Sequence, residues 1–176
     1  MERVAKFSKI SEAQFVRDWL SLYAGKQEGT EQAAKAAYEQ VKLPVRATKG
    51  SAGYDLYTPI DVHLKPGESI KIPTGIRCRM REDVVLLIVP RSSLGFKYMF
   101  QLNNTMGVVD SDYFYSDNEG HLFVKMVVAN FDGLPVDLHA GQAFAQGIFV
   151  HYGITEDDAA EGIRNGGFGS TDRQKQ

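Results

Sequence analysis

From residue 43 onward, apolar side chains fall in short runs separated by Gly, Pro, Asn and Asp, the rhythm of strands and turns rather than of helices. Strands are predicted at 53–57, 62–64, 70–72, 76–81 and 84–89, and at about 98–102, 106–110, 121–129 and 143–151. In the segment Ile76-Arg77-Cys78-Arg79-Met80-Arg81 the alternation is clean. Three Arg side chains share one face, and Cys78 on the other reads as a small core hydrophobe rather than a nucleophile. Residues 84–89 are apolar without a break, which predicts a fully buried strand. Turn signals stand at Lys65-Pro66-Gly67-Glu68, Asp132-Gly133-Leu134-Pro135 and His139-Ala140-Gly141. Many short strands between such signals imply an all-β barrel or sandwich.

The period changes near the N-terminus. Residues 3–9 read as a short strand. Ser11-Glu12-Ala13-Gln14 then forms a capping box, in which Ser11 accepts from the amide three residues on and Gln14 reaches back. Phe15, Trp19, Leu22 and Tyr23 recur at helical spacing, predicting a helix over about 12–23 that stops at Gly25. A second helix begins after Thr30, runs through Ala33, Ala34, Ala37, Tyr38 and Val41, and is ended by Pro44. The aromatic stripe is a packing face or, alternatively, a surface for a protein partner of the 11–42 helices. No chemistry is visible there.

Composition narrows the class. A chain of 176 residues suits a single domain with an appendage and buries a core without disulfide staples. Hydrophobic residues make up 43% and charged residues 24%, ordinary for a globular protein. A net charge of -2 argues against nucleic acid as a partner, since neutralising phosphates needs a basic surface. The single cysteine excludes an intrachain disulfide and predicts a cytoplasmic location. No apolar run is long enough for a membrane span, and no signal peptide is evident, so no membrane association is expected. The polar segment at about 160–176 is expected to be flexible.

Five polar islands interrupt the strand pattern. The first is Ser51-Ala52-Gly53-Tyr54-Asp55-Leu56, with Asp55 beside a glycine that permits close approach. The second, Pro90-Arg91-Ser92-Ser93-Leu94-Gly95, comes straight off the 84–89 strand and sets a guanidinium and two hydroxyls in sequence, a combination suited to phosphate oxygens. The third runs from Asn104 to Tyr113 and carries Gly107 and the string Val109-Asp110-Ser111-Asp112-Tyr113. A carboxylate at the end of a strand is held rigidly enough to activate water, although alone it is more commonly a turn exit. The fourth is Gly141 to Gly147, with Gln146. The fifth is Arg164-Asn165-Gly166-Gly167-Phe168-Gly169-Ser170-Thr171, whose glycines free backbone amides for phosphate and whose aromatic ring has no periodic partner.

In order and in content these islands resemble the five motifs of the trimeric deoxyuridine triphosphatases (dUTPases), over about residues 43–171. The strings Arg91-Ser92-Ser93-Leu94-Gly95, Val109-Asp110-Ser111-Asp112-Tyr113 and Gly166-Gly167-Phe168-Gly169-Ser170-Thr171 carry the resemblance. It implies a jelly-roll β-barrel with an inserted N-terminal pair of α-helices, 1–176 forming one such domain. It implies hydrolysis of dUTP to dUMP and pyrophosphate, which limits uracil in DNA and supplies dUMP for dTMP synthesis. The family builds its active sites between the subunits of a homotrimer, with Mg2+ on the triphosphate. Carried over residue by residue, Asp110 is the base for water attack on the α-phosphate. Arg91, Ser92 and Gln146 neutralise phosphate charge, with Ser93 beside them. Asp55 orients waters on the metal, so no direct protein ligand to Mg2+ is expected. Asn104, with Gly107 in its hairpin, reads the uracil edge, and Tyr113 lies under the deoxyribose and excludes a 2′-hydroxyl. Phe168 stacks on uracil, and Gly169, Ser170 and Thr171, with Arg164, face the γ-phosphate.

The chain departs from the family pattern in three places. Residues 114–119 intervene between Tyr113 and Gly120, where the family usually turns at once. Only Asn165 separates Arg164 from the Gly166-Gly167 pair, leaving Ile163 in the usual position of the Arg. Asp172 replaces a usual Gly and is expected to face solvent. Two other readings compete: a dCTP deaminase, which shares the fold but lacks the third and fifth strings, and a trimeric binding protein that uses the helices to hold a partner.

Overall fold

The computed structural model describes residues 2–162; residues 1 and 163–176 lie outside the description, and with them Arg164, Phe168, Gly169, Ser170, Thr171 and Asp172. The architecture is the all-β jelly roll expected, with helices in a subordinate role. Its strands are β1 (Ala5–Lys9), β2 (Tyr54–Tyr57), β3 (Val62–Leu64), β4 (Ser69–Pro73), β5 (Ile76–Met80), β6 (Val84–Pro90), β7 (Phe100–Leu102), β8 (Gly107–Val109), β9 (Phe123–Val128), β10 (Val136–Leu138) and β11 (Ala143–His151). All named pairings are antiparallel: β1 with β5, β3 with β10, β2-β11-β6-β8 and β4-β9-β7. Phe100, Phe144, Leu56, Ile72, Leu86, Ile88, Leu122 and Met126 fill the core. Cys78 is buried there too, and burial pushes its thiol up to about 12, so it stays protonated and inert.

Strand β6 corrects one expectation. Its sequence is continuously apolar, yet only Val84, Leu86 and Ile88 are buried, while Val85, Leu87 and Val89 are half-buried. The pleat sends successive side chains to opposite faces, and only the inner face of this sheet meets the core. Register extends the outer apolar strip sideways: Val108 of β8 lies opposite Leu87, as does Ile148 of β11, and Val150 lies opposite Val85. Val108 is 51% exposed.

The N-terminal helices are α1 (Glu12–Leu22) and α2 (Glu31–Glu39). The Ser11 hydroxyl accepts from the Gln14 amide at 3.1 Å and the Thr30 hydroxyl from the Ala33 amide at 3.2 Å, so both starts are capped as the sequence suggests. The reciprocal half of the predicted capping box does not form. The Gln14 side chain turns instead to Asp18 and Arg17. The second helix also ends at Gln40, before Pro44, its cap amide bonding back to Ala37 and Tyr38.

The aromatic stripe is consumed by packing, which leaves the helices a polar outer face. Phe15, Trp19, Tyr23, Ala34, Ala37 and Val41 join the same hydrophobic cluster as the barrel side chains. The Trp19 indole donates to the Glu28 carbonyl at 2.7 Å and the Tyr38 hydroxyl to the Ile10 carbonyl at 2.7 Å. Docking is close at Gly75, in the β4–β5 turn. Its φ is +71°, and a Cβ there would collide with the Val41 side chain.

Two elements had no strong sequence signal. The island read as turn-like over 90–95, and Tyr98, read as the start of a strand, fall in or beside the short helix α3 (Ser92–Tyr98), which buries none of its residues and so shows no apolar stripe; the strand itself begins at Phe100. Strand β10 is three residues long and lies between two turn signals, too short for a period to register.

Candidate active site

Three strands converge on a polar cluster at one end of the β2-β11-β6-β8 sheet. Asp55 on β2 is directly opposite Gln146 on β11, and Gln146 is opposite Val89 on β6. Arg91 follows β6 and caps the start of α3. Its Nε lies 3.0 Å from Asp55 Oδ1, and its Nη1 donates to the Ala143 carbonyl at 3.3 Å. The Gln146 amide donates to the Pro90 carbonyl at 3.1 Å. Gly53 makes room for this arrangement, because a Cβ there would overlap Gln146 Oε1. Ser92 and Ser93 follow Arg91 in the chain and are exposed on the first turn of α3. The cluster therefore presents a fixed cation, an amide and two hydroxyls, a set that binds and neutralises phosphate oxygens.

Asp110 is elsewhere. Strand β8 runs antiparallel to β6 with Val109 opposite Leu86 and Gly107 opposite Ile88. One step further sets Asp110 beside Val85, at the far end of β6 from Arg91. Six residues of strand, at ~3.3 Å each, separate those positions by about 20 Å. The pleat nevertheless sends Asp110, Gln146 and Asp55 to the same outer face of the sheet, with the apolar strip of Val85, Leu87, Val108 and Ile148 between them. Asp110 lines a cleft of about 710 Å³ together with Val85, Val108, Ser111 and Tyr115.

Beyond Asp110 the chain enters a 3-10 helix, Ser111–Tyr115, and Tyr113 turns inward. Tyr113 is 3% exposed, and its hydroxyl donates to the His121 carbonyl at 2.8 Å and receives the Asn118 amide at 3.1 Å. Any sugar contact must therefore use its ring or backbone, since the phenol oxygen is engaged inside. The other third-island residues sit on the β7–β8 hairpin. Asn104 is exposed at the tip and Gly107 is buried at the start of β8; both line a pocket of about 300 Å³ with Ile88, Leu102 and Phe123. A small, largely apolar pocket edged by the amides of Asn103 and Asn104 and by Lys71 and Lys125 suits a flat heterocycle.

Sequence reasoning missed a set of residues behind this site. Glu119 accepts from both the amide and the hydroxyl of Ser11, at 2.8 and 2.6 Å, taking the role expected of Gln14. These bonds hold its carboxyl below the usual range. His121 is wholly buried; its Nδ1 lies 2.6 Å from Asp18 Oδ2 on α1, and its Nε2 accepts from the Gly75 amide at 2.9 Å. That second bond fixes the tautomer with hydrogen on Nδ1. Burial pushes the His121 pKa down, with Asp18 opposing the shift. The position of Glu119 in the 114–119 departure was the available clue.

For a divalent cation, the relevant donor set is small. Among the described residues no group of three or more His, Cys, Asp and Glu side chains gathers. The one carboxylate of the cluster, Asp55, is engaged with Arg91. This set does not form a protein cage, but it fits a hard cation that takes most of its oxygens from phosphate and water.

The fold and the cluster together define a β-barrel that handles phosphorylated nucleotides. The dUTPase family model matches residues 39–172. A deoxyuridine 5'-triphosphate nucleotidohydrolase of Lactococcus lactis is 38% identical over 146 residues, 81% of this chain and 96% of that protein. The crystal structure of the dUTPase from Streptococcus mutans is 35% identical, with a TM-score of 0.59, covering 67% of this chain and 91% of that one. A mutant dUTPase from phage phi11 of S. aureus, described with a structural Mg(II) ion, shares the fold at 18% identity, with a TM-score of 0.60 over 92% of this chain and 99% of its own. The chain belongs to the dUTPase family, the dUTP diphosphatases. No helix among the described residues is long and apolar enough to cross a membrane.

Proposed function

We propose that this enzyme hydrolyses dUTP to dUMP and pyrophosphate in sites shared between the subunits of a homotrimer. The observation that carries the shared site is the separation just described. Asp110 stands at one end of β6, the phosphate cluster stands at the other, and a solvent-facing apolar strip lies between them. Burying that strip against a second copy would give the hydrophobic effect a contiguous surface. It would also offer the Asp110 of one subunit to the Asp55–Arg91–Gln146 cluster of another.

In this reading Asp110 takes a proton from water, and the water oxygen bonds to the α-phosphorus. The bond from that phosphorus to the α,β-bridging oxygen breaks, and pyrophosphate leaves. Arg91, Ser92 and Gln146 stabilise the charge that builds on the phosphate oxygens. Mg2+ bound to the triphosphate would supply charge neutralisation, with Asp55 turned toward its waters. The β7–β8 hairpin, through Asn104, reads the uracil edge, and the Tyr113 ring backs the deoxyribose. Arg164, Phe168, Gly169, Ser170 and Thr171 would close over the base and γ-phosphate. A cytoplasmic location accords with a lone, buried cysteine.

Pyrophosphate release from dUTP, UTP, dCTP and dTTP, with and without Mg2+, tests this reading. Turnover selective for dUTP and stimulated by Mg2+ is expected. Equal turnover of all four nucleotides, or of none, would refute it.

A further inference from the structure

The departure at residues 114–119 and the helical insertion are in direct contact. The loop after the 3-10 helix is bonded to the insertion at two points. Glu119 receives the Ser11 amide and hydroxyl at the start of α1. About two turns further along that helix, Asp18 holds the His121 ring. The barrel secures the same loop from the other side, since the Gly75 amide donates to His121 Nε2 and the Arg77 guanidinium lies 4.5 Å from the Phe114 ring centroid. Within the loop, the His121 carbonyl and Asn118 together hold the Tyr113 hydroxyl. Gly120, at φ +71°, lets the returning chain lie against Tyr113 and Phe114; a Cβ there would stand 2.8 Å from Phe114 Cα. The chain of contacts thus runs from the helices, through Glu119 and His121, to the residue three positions after Asp110.

We propose that Glu119 and His121 are positioning residues, through which the α1–α2 insertion fixes Tyr113 and so sets discrimination between deoxyribose and ribose nucleotides. The inference rests on the dUTP-hydrolysing reading of the site. Among the described residues, no strand ladder runs through 111–121; the insertion and the barrel hold this stretch instead, with charge-assisted hydrogen bonds to Glu119 and His121 among the contacts. The loss of such a brace moves a substrate-contacting ring without removing any group that touches substrate, so the effect falls on selectivity and kcat together.

The test is Glu119→Ala, with kcat and KM for dUTP and UTP measured on the same preparation and Tm in parallel. The dUTP/UTP selectivity ratio is expected to fall about tenfold or more, and Glu119→Gln, which keeps one acceptor for Ser11, should fall between this variant and wild type. Should the alanine variant fail to fold, the glutamine variant alone carries the same comparison. A lowered Tm with an unaltered selectivity ratio would reduce Glu119 to a structural contact and overturn the proposal. A wild-type enzyme that does not prefer dUTP to UTP would instead refute the underlying functional reading, before any variant is made.

Discussion

The two ends of β6 are held in place by different physics. At the Arg91 end, Asp55 and Gln146 are set by strand register, Arg91 pairs with Asp55, and Gln146 and Arg91 donate to the Pro90 and Ala143 carbonyls. At the Asp110 end, β8 is a three-residue edge strand, and the 3-10 turn and loop after it are braced by side-chain bonds to the added pair of helices as well as to the barrel. A ladder places residues by backbone geometry and tolerates change around it. A side-chain brace depends on a few groups and their charge states. The first end should therefore resist perturbation of the helices, whereas the second should not.

Asp110→Asn gives the largest expected effect on turnover. It keeps the shape and removes the base, so kcat should fall by roughly 10²–10⁴-fold while nucleotide binding persists; single-turnover assays beside a binding titration read both quantities. Trp19→Ala should cost about 3–5 kcal/mol in denaturant unfolding, because a buried ring and its bond to Glu28 are lost. If the two ends differ as argued, the folded fraction of that variant should bind pyrophosphate as wild type does but lose dUTP/UTP selectivity. Gly53→Ala is the converse. It displaces Gln146 and should lower kcat about tenfold with selectivity intact, as measured by steady-state kinetics on both nucleotides.

The smallest effect is the pH dependence of the brace. His121 is depressed by burial, so the stability of its neutral form is fully present above the unfolded value of about 6.5 and is lost as pH falls through the folded pKa. Asp18 and Glu119 favour its protonation, while Lys71 opposes it. Glu119 is lowered by its bonds to Ser11, so its contribution is present above about 4.3 and is lost as pH falls through its folded pKa. Both signs predict that acid loosens the same joint. Tm should decline from neutral pH toward pH 5 through His121, and again below about pH 4.3 through Glu119, the second decline being weaker in Glu119→Gln; identical profiles below about pH 4.3 would remove Glu119 from the account.

Where the sequence was readable, one local pattern sufficed. Strand β11 was legible from end to end, because its apolar run is bounded by turn residues, and the caps at Ser11 and Thr30 could be read from single side chains. The Asp55–Arg91–Gln146 cluster draws on three of the islands, although nothing in the sequence says that Asp55 and Gln146 stand opposite each other. The misreadings share a cause: they concern partners distant in sequence. The capping box assigned Gln14 a bond that Glu119, 108 residues away from Ser11, makes instead. The apolar run of β6 looked buried on both faces because composition cannot reveal that, among the described residues, only one face meets the core. His121 carried no motif, and only the fold brings Asp18 and Gly75 to its two nitrogens.

The central claim is that Asp110 and the Asp55–Arg91–Gln146 cluster of one chain serve different active sites. Complementation tests it most directly. Asp110→Asn and Arg91→Ala subunits, each inactive alone, are co-assembled in equal amounts and assayed for dUTP hydrolysis. Random mixing in a symmetric trimer with sites built between subunits should restore about a quarter of wild-type activity. A mixture as inactive as its parents, with subunit exchange verified, would mean that both ends of β6 work on one substrate within one chain, and would contradict the account.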